Sequence, residues 1–83
     1  MSPKLPVVSG KRLIRWLESL GYPIDRQRGS HVRLEKRAAG GTHAITIPNH
    51  SEIARGTLNS IMTAVSRSTD ISKERLIQSL SDF

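Results

Sequence analysis

The stretch RQRGSHVRLEKR, Arg26 to Arg37, holds five basic residues, one acid, Glu35, and one imidazole, His31, directly after Gly29 and Ser30. An imidazole with an ordinary pKa near about 6.5 takes up and gives back a proton at neutral pH. Attack of a ribose 2′-hydroxyl on its adjacent phosphate needs such a group, and RNA brings that nucleophile with it. Arginines around the centre stabilise charge growing on the phosphorane oxygens, and Ser30 or the amides around Gly29 add hydrogen bonds. The basic run as a whole suits several phosphates. A plainer reading stands beside this one: strand-edge Arg and Lys blunt edge-to-edge aggregation, and His31 is then a hydrogen-bonding residue only.

The other candidate chemistry is thinner. His43 shares the parity of Ile45 and Ile47, which gives it a structural place at the core side of its strand, and His50 sits in the loop NHSEIARG, where an exposed histidine is ordinary. The three histidines are spaced by twelve and seven residues, without the i, i+4 pairing of a helical zinc site, and the seven carboxylates are scattered singly. No metal and no cofactor are expected. Trp16, Tyr22 and Phe83 are the only aromatics, so stacking of bases on a sheet is disfavoured and readout of shape or phosphate is favoured.

Periodicity supplies the elements that must hold these residues. VSGKRLIRWLESLGY reads as an amphipathic helix, with Ser9 as N-cap, Val8 placed to staple onto Leu13, and Gly21 as the stop. Its apolar arc is Leu13, Ile14, Trp16, Leu17 and Leu20; Lys11, Arg12 and Arg15 lie on the outer face. Three extended segments follow, near residues 22–28, 31–36 and 43–47, broken by Gly29-Ser30 and by RAAGGT. In an antiparallel meander Val32, Leu34, Ile45 and Ile47 share one face, so His31, Arg33 and Glu35 point to the other. Pro48 ends the third strand, Thr57 is the expected cap of a second helix carrying Leu58, Ile61, Met62 and Val65, and Ser72 caps a short last helix with Ile71 stapled to Leu76. The fold class is therefore α+β, in the order αβββα with a short extra C-terminal helix. Its three-stranded antiparallel sheet carries helices on one face and leaves the other open.

Composition sets the bounds. Eighty-three residues with 36% hydrophobic and 24% charged side chains suit one small globular domain. The net charge of +6 favours a polyanionic partner, and the excess is uneven. Residues 1–67 hold eleven basic and four acidic side chains, against two and three in residues 68–83. The absence of cysteine and of any long apolar run predicts a soluble cytoplasmic protein without disulfides, with no membrane partner.

Three pieces, KLPVVSGKRLIRWLESLGY, RQRGSH and TIPNHSEIARGTLNSIM, stand in an order and at spacings that resemble the HicA (YcfA-like) toxin family of type II bacterial toxin–antitoxin systems. Their combination is specific, and it covers about residues 4–65 of a single domain 1–83, with 66–83 as a helical extension. The resemblance implies a double-stranded-RNA-binding-domain-like fold and an endoribonuclease, an mRNA interferase, that cleaves mRNA and arrests translation and growth under stress. The histidine of the family's Gly-Ser-His motif, on which toxicity depends, maps onto His31, and Gly29 and Ser30 match the residues leading into it. It further implies a HicB-type antitoxin that covers the active surface, with the toxin monomeric when free. Two segments depart from the family pattern: the turn KRAAGGT is longer, and SRSTDISKERL lengthens the link to the last helix.

The expected protein is thus a metal-independent RNA-cleaving toxin in which His31 is general acid or base. Arg26, Arg28 and Arg33 hold phosphate beside Gly29 and Ser30, and Lys11, with Arg12 and Arg15, lends backbone contacts. A non-catalytic RNA-binding module of the same fold, and a subunit that only docks an acidic protein, remain open from sequence.

Overall fold

The computed structural model describes residues 4–38 and 40–83, the side chain of residue 38 excepted. The element order is α1 (Gly10–Ser19), β1 (Ile24–Arg28), β2 (His31–Ala38), β3 (Gly41–Pro48), α2 (Arg55–Thr69) and α3 (Lys73–Ser81). This is the expected αβββα order with a further C-terminal helix. Two compact units make up the chain, Val8–Glu52 and one built on Ile53–Phe83. No helix among the described residues is long and apolar enough to cross a membrane.

In the first unit the helix ends are set by side chains read from sequence. Ser9 accepts a hydrogen bond from the Arg12 amide at 3.1 Å, and the staple pair Val8 and Leu13 is buried. At the other end Gly21 adopts φ +93°, its amide bonds the Glu18 carbonyl, and the Tyr22 amide bonds the Leu17 carbonyl, both at 3.0 Å. That is a Schellman stop, and its accompanying apolar pair, Leu17 and Tyr22, is fully buried. Tyr22 is consequently consumed in the helix stop, and β1 starts at Ile24 instead of at residue 22.

The sheet has the order β1-β2-β3 and is antiparallel throughout. Val32, Leu34, Ile45 and Ile47 are buried on one face, and α1 packs on β2 and β3. The β2–β3 hairpin is longer and tighter than its sequence suggests. Pairing runs from His31↔Pro48 to Ala38↔Gly41, which leaves two residues between the strands in place of an open RAAGGT turn. Of that tip, residue 39 lies outside the described residues. Pro48 is tolerated as the last residue of an edge strand.

In the second unit α2 starts at Arg55, three residues before the position expected from Thr57 as cap. Ala54 occupies the N-cap without a side-chain hydrogen bond. Ile53 and Leu58, the positions of a hydrophobic staple about that start, are both buried, so apolar packing outweighs the cap preference of about 1 kcal/mol. Asp70, in the left-handed region at φ 60°, closes α2, and its amide bonds the Ser66 carbonyl. Ser72 caps α3 as expected, accepting from the Arg75 amide at 3.3 Å, and α3 packs on α2.

Candidate functional site

Gly29 and Ser30 form a two-residue hairpin turn between paired Arg28 and His31. Gly29 takes φ +58° and Ser30 does not share that sign, the pattern of a turn with glycine at its first central position. The Gln27 side-chain amide donates to the Gly29 carbonyl at 3.1 Å. From the other side, the Asn49 amide donates to the Ser30 carbonyl at 2.6 Å, joining the turn to the segment that follows β3. Two cross-strand pairs, Arg28↔His31 and Arg26↔Arg33, then fall on the face opposite Val32 and Leu34.

His31 is exposed at the head of β2. With Arg26, Arg28, Arg33 and Thr46 it lines a shallow depression of about 160 Å³ on the open face of the sheet. Strand parity therefore brings together four of the residues singled out in the sequence, with Gly29 and Ser30 as the turn at their edge. Thr46 is an addition; it is paired with Arg33 across β2 and β3, and only the hairpin register could reveal it.

The basic run does not act as one patch. Lys36 alternates to the apolar face, where its ammonium donates to the Leu20 carbonyl at 3.1 Å and lies 5.5 Å from the centroid of the Tyr22 ring. It supplies the cation favoured at the end of a helix whose own last turn has none. Arg37 lines a second depression, about 380 Å³, with Gly21, Pro23, Ile24, Asp25 and Glu35. Lys11 is exposed on α1, which packs on β2 and β3, and it does not join the His31 depression.

Arg33 is the most constrained of the cluster. Its Nη1 donates to Asp25 Oδ2 and to Glu35 Oε2, each at 2.8 Å. The bond to Glu35, and after it the bond to Asp25, raises the guanidinium pKa above its ordinary value. Asp25 reaches this face through a register shift between Ile24 and Arg26. Strand parity places Glu35 on this face; Asp25 was not expected there. A sign of the shift does stand in the sequence: Ile24 has the parity of Arg26 and Arg28, an apolar side chain in phase with two solvent-facing arginines.

The remaining histidines take separate places. His43 is half-buried, and its Nδ1 lies 2.8 Å from the Tyr22 hydroxyl with the rings edge to face, a structural contact of the kind its parity predicts. His50 is exposed, and its backbone carbonyl accepts from the Gly10 amide at 2.8 Å.

A family model described as the HicA toxin of bacterial toxin–antitoxin systems matches residues 10–65, more than half of the chain. The chain belongs to the HicA toxin family. The HicA match spans α1, the whole sheet with its Gly29–His31 turn, and α2 as far as Val65, leaving α3 outside. Every residue of the His31 depression lies within it. As a member of a toxin–antitoxin family the chain has an antitoxin for a partner. No curated protein and no solved structure matches the chain.

Proposed function

We propose that this HicA-family protein is a metal-independent endoribonuclease that cleaves mRNA, with His31 as its proton-transfer residue. The observation that carries the reading is the convergence of His31, Arg26 and Arg28 on one open depression of the sheet. In the reaction the neutral imidazole takes the proton of a 2′-hydroxyl, and the 2′-oxygen forms its bond to phosphorus. The bond from phosphorus to the 5′-oxygen breaks, and that oxygen leaves with a proton, returned by the imidazolium or drawn from water. The products are a 2′,3′-cyclic phosphate and a 5′-hydroxyl. Arg26 and Arg28 hold phosphate oxygens as their charge grows, and the amides around Gly29 and Ser30 add short-range donors.

Arg33 lines the same depression with its charge already engaged, so phosphate contact is assigned first to Arg26 and Arg28. Lys11 is a peripheral phosphate contact on α1. A HicB-type antitoxin neutralises the toxin by occupying this face, which is cationic and open enough to serve both ligands in turn.

The test is His31→Ala against the unaltered protein, each purified and incubated with RNA in EDTA. We expect the parent to cleave and the variant to bind RNA with little change while losing cleavage at least a hundredfold, the scale of a lost general acid or base. Parent protein that binds RNA and leaves it whole, with or without metal, would instead identify a non-catalytic RNA-binding module. Expression of both forms without antitoxin checks the same assignment through growth.

A further inference from the structure

The Gly29–Ser30 turn sets Arg28 opposite His31, and plain alternation backward from there would put Arg26 and Ile24 on the open face and Asp25 on the apolar one. The register shift reverses the last two. Ile24 pairs with Leu34, on the apolar side, and Asp25 becomes the extra residue beside Arg26, opposite Arg33. One bulge thus sets Ile24, still half-exposed, opposite Leu34 and delivers a carboxylate to the open face. Glu35, two residues beyond Arg33 on β2, shares that face, and both carboxylates close on the same guanidinium nitrogen at 2.8 Å.

This arrangement has the wrong sign for simple phosphate binding. Asp25, Arg33 and Glu35 together carry a formal charge of −1, on a face where Arg26 and Arg28 stand exposed. An exposed ion pair contributes little to stability, so stability alone is a poor reason for a bulge that brings a second acid to one arginine. What the arrangement does is limit where one cation can go.

We propose that Asp25 and Glu35 are positioning residues that keep the Arg33 guanidinium off the phosphates, so that RNA is held through Arg26 and Arg28 with its reacting linkage at His31. The acidic pair then marks one boundary of the phosphate track. This inference rests on the RNA-cleaving reading above, and its test separates the two.

The experiment measures binding of a single-stranded 2′-O-methyl oligoribonucleotide, which cannot be cleaved by 2′-hydroxyl attack, over a series of salt concentrations. Each phosphate engaged by a cation adds about 0.7 to the slope of log affinity against log salt. Arg26→Gln with Arg28→Gln should lower the slope by about 1.4. Arg33→Gln should leave it unchanged. Asp25→Asn with Glu35→Gln should raise it by about 0.7, and adding Arg33→Gln to that pair should return it to the parent value. On cleavable RNA the Asp25→Asn, Glu35→Gln protein should show a lower KM together with a lower kcat, since the freed arginine holds RNA out of register with His31.

An unchanged slope in the Asp25→Asn, Glu35→Gln protein overturns the proposal. So does a gain that survives Arg33→Gln, which would be a general effect of net charge, or a slope lost by Arg33→Gln alone. If Arg26→Gln with Arg28→Gln leaves the slope untouched, the RNA-binding reading of this face fails instead. Should the double variant not fold, Asp25→Asn and Glu35→Gln are measured singly; each leaves one carboxylate on Arg33, so a rise below about 0.7 that Arg33→Gln removes supports the proposal, and no rise in either overturns it.

Discussion

Gly10 has no room for a methyl group. A Cβ built there meets the Pro48 carbonyl oxygen first, then Asn49 Cα at 2.8 Å and the His50 amide nitrogen at 3.0 Å, all of them backbone that cannot turn aside. Glycine to alanine in a helix ordinarily stabilises by up to about 1 kcal/mol, and here the collision reverses the sign. We expect Gly10→Ala to cost about 1–3 kcal/mol, read as a lower urea midpoint at unchanged slope. Single residues are also where sequence reasoning divides. The exposure of His31 and the inward place of His43 follow from strand parity alone, because alternation carries that information. The engagement of Arg33 follows only in part: parity sets Glu35 beside it, whereas the approach of Asp25 depends on a bulge that only the pairing register reveals.

At the scale of elements, all three helices were legible, but only the two that carry a serine cap had a legible start. Ser9 and Ser72 mark α1 and α3, whereas α2 begins at uncapped Ala54, fixed by buried Ile53 and Leu58. The strands were read too short at the β2–β3 tip because alanine and glycine look like a loop until they are paired. Charge along α1 makes a separate point. Its first turn has Lys11 and Arg12 and no acid, and its last turn has no base, the reverse of what the helix dipole favours. Lys11→Glu should therefore raise stability by about 0.5 kcal/mol in urea melts. The same variant should lower the salt slope of RNA binding by about 0.7 or more if Lys11 is the phosphate contact assigned to it. Gain in one measurement with loss in the other would mark a cation retained for its ligand; a slope equal to the parent's would remove Lys11 from the interface.

For the molecule as a whole, the excess positive charge is concentrated with the site. Residues 8–52 hold eight basic and four acidic side chains, and residues 53–83 hold four and three. The α+β order was readable because helix and strand periods differ so plainly, and the uneven charge was readable by counting. The division at Glu52 and Ile53 was not, since a drift in charge fixes no boundary and only contacts define it. With Arg26, Arg28 and Lys11 as the contacts, a fourfold rise in salt should weaken RNA binding by about 18-fold. A much steeper loss, measured by fluorescence anisotropy with labelled RNA, would mean that further cations join in; no loss would exclude phosphate as the ligand.

The segment after β3 is tied at two points: the Asn49 amide to the Ser30 carbonyl, and the His50 carbonyl to the Gly10 amide. Asn49 therefore sits one hydrogen bond away from the turn that presents His31. Its amide resonance offers a built-in gauge of that turn, able to register an antitoxin or an RNA arriving at the histidine while the histidine itself stays unlabelled and unaltered.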